Sequence, residues 1–297
     1  MLARGALNVV NSAVEKLNDT EPGTGGPQGP GPTGSARDDR ARPFYAALDG
    51  ALARRGLALH QICPPHDLVA RRVLEEYGAV FMACEAVQPP PVCIFTDEAE
   101  VARFQAAAGW AVAEMAGARI ELQPAALAAL LAARAEARRC GLEITPRDGA
   151  EAARRRFDDT LRLWLSRVLP ALDHWTAEGR LAPDEAARVR ELEPRKQVAA
   201  VLELEASGIF FSKDFSKSIL RSVAAPGASQ HLSMLAFDVA EFSDERVRRI
   251  LAGHGWFQTV NNDLPHFTFL GLEEDELPAR GLKRIETKGQ FFWIPDV

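Results

Sequence analysis

Several things are missing from this 297-residue chain. It has no run approaching the ~20 apolar residues that cross a bilayer, since even the Ala-rich stretch from Ala125 to Ala133 is short, so no transmembrane span is expected. It has no excess of positive charge. The formal net charge is -6 and the pI about 5.6, which argues against nucleic acid as a partner, because phosphate binding needs a concentrated basic surface. It has no C-x-x-C pair: Cys63, Cys84, Cys93 and Cys140 are widely spaced, which removes a cysteine zinc site and a thioredoxin-like motif from consideration. Buried free thiols are the simplest reading. If the chain is exported, one or two disulfides are open to it, and Cys84 with Cys93 across a short loop is the first pair to expect. A signal-peptide core is also absent, because Asn8, Asn11 and Ser12 interrupt the apolar residues of the opening segment. That segment reads as a short amphipathic helix, or as the start of a chain whose true beginning lies upstream.

What is present is an ordinary globular composition, 47% hydrophobic and 26% charged, enough to bury a sizeable core. Residues 20–36 are dominated by Gly and Pro and read as a flexible linker, so 1–40 is taken as an N-terminal segment with linker and 41–297 as the main domain. Phe44, Leu48, Leu52 and Leu57 predict an amphipathic helix. AVFMA (79–83) has strand character and leads into the QPPPVCIF loop and strand. Two helices are expected between Asp97 and Arg139, where Ala, Glu and Arg recur with helical spacing. GLEIT (141–145) reads as a strand, EAARRRFDDTLRLWLSRVLPALDHW as a helix, and Pro183 opens another. After Val198 the expectation shifts to short strands, VLELE, HLSMLAFDV, HFTFLGL and QFFWIPD, separated by Gly, Pro and Asn turns. The fold class predicted is α+β: a helix-rich first two thirds and a small antiparallel sheet in the last third.

The chemistry concentrates in PGASQHLSMLAFDV, with His231 and Asp238, and in DLPHFTFL, with His266. Imidazole and carboxylate are both good zinc ligands. His231 and Asp238 are seven positions apart, an odd offset, so on one regular strand they would face opposite ways. His231 therefore belongs on the turn begun by Pro226 and Gly227, with Leu232 to Asp238 as strand and Asp238 at its far end. His266 begins its own strand after Pro265 and can enter from a neighbour. Three protein ligands leave a fourth position for water, the hallmark of a catalytic zinc. Asp263, three residues before His266 across a Leu-Pro turn, is the natural general base.

Over residues 226–270 these residues resemble a longer motif. S-x-H-x-x-G-x-A-x-D, a tryptophan region and then [ED]-x-x-H is the zinc signature of the D-alanyl-D-alanine carboxypeptidases (VanY-type peptidases), the vancomycin-resistance-type dipeptidases and the bacteriophage or Bacillus L-alanyl-D-glutamate endopeptidases. Here the matching residues are Ser229, His231, Ala236 and Asp238, then Gly255-Trp256, then Asp263-Leu264-Pro265-His266-Phe267. The D-x-P-H-F form is similar to the endopeptidase branch. The resemblance implies a small α+β peptidase domain, with Zn2+ held by His231, Asp238 and His266. It also implies Asp263 as the catalytic carboxylate and a peptidoglycan stem peptide as substrate.

Two departures accompany it. Met234 stands where the family has Gly, and no Gly-Tyr-Arg-Ser segment supplies the arginine that pairs with a substrate carboxylate. Arg147 in ITPRDGAEAARRRF is the favoured substitute, since a guanidinium fork binds both carboxylate oxygens. Arg154, Arg155 and Arg156, or Lys213, Lys217 and Arg221 before the zinc turn, are alternatives. If ITPRDG matches the family segment, 161–195 is a helical insertion and 41–95 an N-terminal extension. Trp256 and Phe257 are expected to line or support the cleft, and Ser229 and Gln258 to orient the ligating histidines. His60, His66, His174 and His254 lie outside the motif. The competing class is a zinc-containing cell-wall binding module without turnover. Peptidoglycan as substrate implies the periplasm or cell envelope.

Overall fold

Proline fixes the start of much of this fold. Its locked φ and missing N–H suit the first helical turn, and Pro43, Pro124, Pro183 and Pro194 each open a helix. The computed structural model describes residues 42–261 and 263–297; the predicted Gly/Pro linker lies outside them. The helices are α1 (Pro43–Arg54), α2 (Leu59–Ile62), α3 (Leu68–Tyr77), α4 (Glu98–Ala108), α5 (Pro124–Arg139), α6 (Phe157–Ala177), α7 (Pro183–Arg190), α8 (Pro194–Ala206) and α9 (Glu245–Ala252). Strands β1 (Ala111–Met115) and β2 (Ala118–Leu122) form one hairpin, and β6 (Leu282–Thr287) and β7 (Gln290–Pro295) another. Between them β3 (Ala236–Asp238), β4 (Trp256–Phe257) and β5 (His266–Phe269) make an antiparallel sheet ordered β3-β5-β4. The fold is α+β, as the sequence predicted, and no described helix is long and apolar enough to cross a membrane.

A large core and a smaller cluster of Phe95, Val101, Phe104, Phe157 and Leu232 hold it together. Phe44, Leu48 and Leu52 of α1, Trp164 and Val168 of α6, Val201 of α8, and Phe237, Trp256 and Phe267 of the central sheet all belong to the large core. The segments read as an N-terminal extension and a helical insertion therefore bury their apolar faces with the rest. The backbone N–H of Phe44 also donates to Asp296 O at 3.2 Å, tying the first described helix to the residue just past the last strand.

Four local expectations are corrected. AVFMA is a buried 3-10 turn, Gly78–Met82, because a short apolar run signals burial without specifying a strand. VLELE lies inside α8, where Val198, Val201 and Glu205 fall on its inner face; the apparent alternation is the chance overlay of that face on a helical period. AVAEM was expected to continue a helix, but Gly109 ends α4, and Ala116 and Gly117, both at positive φ, make the two-residue turn that a β-hairpin favours. GLEIT makes no strand; the residue after it, Pro146, bridges Val239 just beyond β3.

Candidate metal centre

The central sheet sets two of the three candidate ligands. β3 and β5 pair antiparallel with Asp238 directly opposite His266, which brings their side chains onto one face at close range. The third ligand comes from the 3-10 turn Gln230–Ser233, which carries His231 as the odd spacing required. Met234 then takes a left-handed conformation, φ 57°, that turns the chain into β3. This is the position where the resembled motif has glycine, and the positive φ gives glycine a physical reason to be there. Two buried glutamines hold the turn. Gln105 Nε2 donates to Leu232 O at 3.1 Å, and Gln123 Nε2 donates to Ser233 O at 2.8 Å. Beneath it, Gly227 packs so closely on the Phe95 carbonyl that a Cβ would lie 2.0 Å from its oxygen.

His231 Nε2, His266 Nδ1 and Asp238 Oδ1 converge at separations of 3.1, 3.2 and 3.3 Å. Donors at about 2.0–2.1 Å from a tetrahedral zinc are about 3.3 Å from one another, so this triangle has the size of one face of such a site. The outer atoms fix the tautomers. His231 Nδ1 donates to Ala153 O at 2.7 Å, and His266 Nε2 donates to Gln230 Oε1 at 2.8 Å. The orientation of Gln230 is itself set, because its Nε2 donates to Tyr77 O at 2.8 Å. Both inward ring nitrogens therefore present lone pairs to each other and to a carboxylate oxygen, an arrangement that a cation at its centre would satisfy.

The electrostatics agree. Burial pushes the His231 pKa down to about 4, and the Arg155 charge adds to the drop, so the ring is a neutral donor at pH 7. Burial opposes ionisation of Asp238, but the facing His231 and His266, when they carry a proton on the inward nitrogen, outweigh it and hold the carboxyl well below the usual range. Arg155 donates to Asp238 Oδ2 at 2.7 Å, which leaves Oδ1 facing the histidines. His231, Asp238 and His266 thus form a buried group able to hold a metal ion.

The group opens into a cavity of about 230 Å³. Asp263 stands on its wall beside the triad, placed by a turn in which the Asp263 N–H donates to Val260 O and the His266 N–H to Asp263 O. Residue 263 is exposed at the rim, yet protein packed around its carboxyl raises the pKa; Asp238 adds to the rise against the opposing charges of His266, Arg155 and Arg147. Ser229 also lines the cavity.

The remaining site residues fall elsewhere. Arg147 lies outside the cavity lining, its guanidinium 5.3 Å from the centre of the Phe242 ring; its backbone N–H donates to Asp238 O at 2.9 Å, and its side chain acts on the site only through its charge on Asp263. Arg154 is spent on Gln105 and Glu121, and Arg156 pairs with Asp159. Arg155, Arg167 and Arg221 are the arginines that line the cavity. Arg167 Nε donates to Ser222 Oγ at 3.1 Å, and neither Arg167 nor Arg221 has a carboxylate partner among the described residues. Trp256 is fully buried behind the sheet against Phe237 and Phe269, so it supports β4 and β5 and does not face the cavity. Gln258 bonds Leu264 O and Gln290, not a histidine. His60 and His66 are exposed, His174 stacks on Phe215, and His254 bonds Glu136.

Sequence reasoning missed Gln230, the partner of His266. Its neighbour position to His231 was the only local signal, and its partners Tyr77, Thr259 and Thr268 come from distant segments. Compared with known proteins, the chain matches no family model and no curated protein.

Proposed function

We propose that this chain is a zinc-dependent peptidase that hydrolyses a peptide bond involving a D-amino acid in peptidoglycan stem peptides, acting in the periplasm or cell envelope. The observation that carries the reading is the convergence of His231 Nε2, His266 Nδ1 and Asp238 Oδ1 in a cavity shared with Asp263. Two imidazoles and one carboxylate suit zinc, and the motif that supplies them resembles that of the D-alanyl-D-alanine carboxypeptidases and L-alanyl-D-glutamate endopeptidases. Bound zinc would polarise the scissile carbonyl and lower the pKa of water in its open position.

The protein's own groups supply the rest. Asp263 accepts a proton from the attacking water and passes it to the leaving amine nitrogen, a task its raised pKa favours. Arg155 fixes the Asp238 carboxylate by holding Oδ2. Arg167 and Arg221, without acidic partners among the described residues, offer guanidinium donors for a carboxylate of the stem peptide. Ala153 O and Gln230 keep both histidines in the ligating tautomer.

The test is hydrolysis of defined muropeptides by zinc-loaded wild type and Asp263→Ala. The wild type should release one D-amino-acid-containing product, and the variant should bind zinc normally while losing ~100-fold or more in turnover. Unchanged hydrolysis in Asp263→Ala would remove the proposed base. A wild type that binds zinc yet cuts no muropeptide would identify a cell-wall binding module instead.

A further inference from the structure

Cys63 and Cys93 lie far apart in sequence but meet in the core. Cys63 follows the last turn of α2, and the Cys93 backbone N–H donates to Ile62 O at 3.0 Å, which brings the two residues side by side. Both are buried, 5% and 7% exposed, and their thiols are hydrogen-bonded to each other. With Cys93 bonded through its backbone to the residue before Cys63, and the two thiols in contact, the pair satisfies the proximity that a disulfide demands. Cys84, expected from its spacing to be the partner of Cys93, is instead half-buried against Gly271, with its backbone N–H bonded to Leu270 O. Cys140 is exposed at the end of α5.

We propose that Cys63 and Cys93 are a disulfide-forming pair that staples the Pro-rich loop before Phe95 to α2, and through that loop supports the turn bearing His231. The mechanical link runs through two residues. Phe95, two positions beyond Cys93, donates its backbone N–H to Gly227 O at 2.9 Å, and Gly227 packs on the Phe95 carbonyl with no room for a side chain. The metal-binding turn thus rests on the segment that the disulfide would fix.

The oxidant required is a disulfide, such as oxidised glutathione or a disulfide-exchange protein. The Cys63 thiolate attacks one of its sulfurs and expels one thiolate. Cys93, deprotonated in turn, attacks the Cys63 sulfur of the mixed disulfide and expels the second. Two electrons pass to the oxidant, whose two leaving thiolates take up the two protons lost by the cysteines. Closure belongs to folding, before the pair is sealed in the core. A staple of this kind stabilises the fold chiefly by restricting the unfolded chain.

The experiment is refolding of the full chain in a glutathione redox buffer, followed by denaturation, alkylation of free thiols and peptide mapping. Two of the four cysteines, Cys84 and Cys140, should be alkylated, with Cys63 and Cys93 recovered as one linked peptide. Reductant should lower the melting temperature of the wild type by several degrees and leave that of a Cys63→Ala/Cys93→Ala double variant unchanged. Four alkylated cysteines after oxidative refolding, or a link between Cys84 and Cys93, would overturn the proposal. So would a double variant whose melting responds to reductant as the wild type does.

Discussion

Replacing Gly227 by alanine should damage the fold and the metal centre together. The new Cβ would sit 2.0 Å from Phe95 O, 2.9 Å from its carbonyl carbon and 3.1 Å from its nitrogen. All three are backbone atoms, so no side chain can swing away, and the segments must separate by more than an ångström to restore ordinary contact. Separation strains the Phe95 N–H to Gly227 O bond (2.9 Å) and the Gly227 N–H to Thr160 Oγ1 bond (3.2 Å), each worth about 1 kcal/mol. The positive φ of 78° adds about 1–2 kcal/mol for a residue with a Cβ. The total is about 3–4 kcal/mol. Gly179→Ala isolates the backbone term, since Gly179 has φ 67° and open space around its Cβ position; it should cost only about 1–2 kcal/mol. Urea titration gives both values, and chelator competition gives the zinc affinity, expected to fall in Gly227→Ala and to hold in Gly179→Ala. Equal stability losses in the two variants would refute the reasoning, as would wild-type zinc affinity in Gly227→Ala.

Three further outcomes follow from the same geometry. In chelator-treated protein the folded His231 titrates near 4, below an ordinary histidine, so the unfolded chain takes up its proton first; stability from this residue is fully present above pH ~6.5 and lost as pH falls toward 4, by about 3 kcal/mol. Urea titrations from pH 7 to 4 should show His231→Gln lacking that part of the slope, and parallel curves for wild type and variant would contradict it. Gln230→Leu deprives His266 Nε2 of its acceptor and should weaken zinc ~10–100-fold while leaving the ligands in place; chelator competition well below the melting temperature measures this, and unchanged affinity would count against Gln230 as the orienting group. Arg221→Ala should raise KM for carboxylate-bearing stem peptides ~10-fold or more with zinc content unaltered, whereas an unchanged KM would remove Arg221 from substrate binding.

Much of the candidate site was legible because its constraint is local. The odd spacing of His231 and Asp238 excluded a single straight strand and required a turn before β3, and the structure has that turn. The start of β5 at His266 and the Asp263 turn before it were legible for the same reason, from the Leu-Pro dipeptide. What failed depended on long-range packing. Nothing near Arg155 distinguishes it from Arg147, Arg154 or Arg156; only the fold brings it against Asp238, while Arg147 turns to Phe242. Gln105, Gln123 and Gln230 satisfy buried groups contributed by remote segments, and a lone glutamine gives no sign of that in sequence. Trp256 was marked by its place in the motif, but its role is to fill the core behind the sheet. Of the misread strands, AVFMA is an apolar run whose burial was visible and whose partners were not, and VLELE alternates by chance within a helical period.

The most direct test of the central claim is metal content per chain after exhaustive dialysis, measured by elemental analysis for wild type and His266→Ala. One zinc per wild-type chain, lost in a variant that still folds by circular dichroism, is the result expected from three converging donors. A folded wild type that retains no metal after loading with zinc, or a His266→Ala protein that holds zinc as tightly as the wild type, would contradict it.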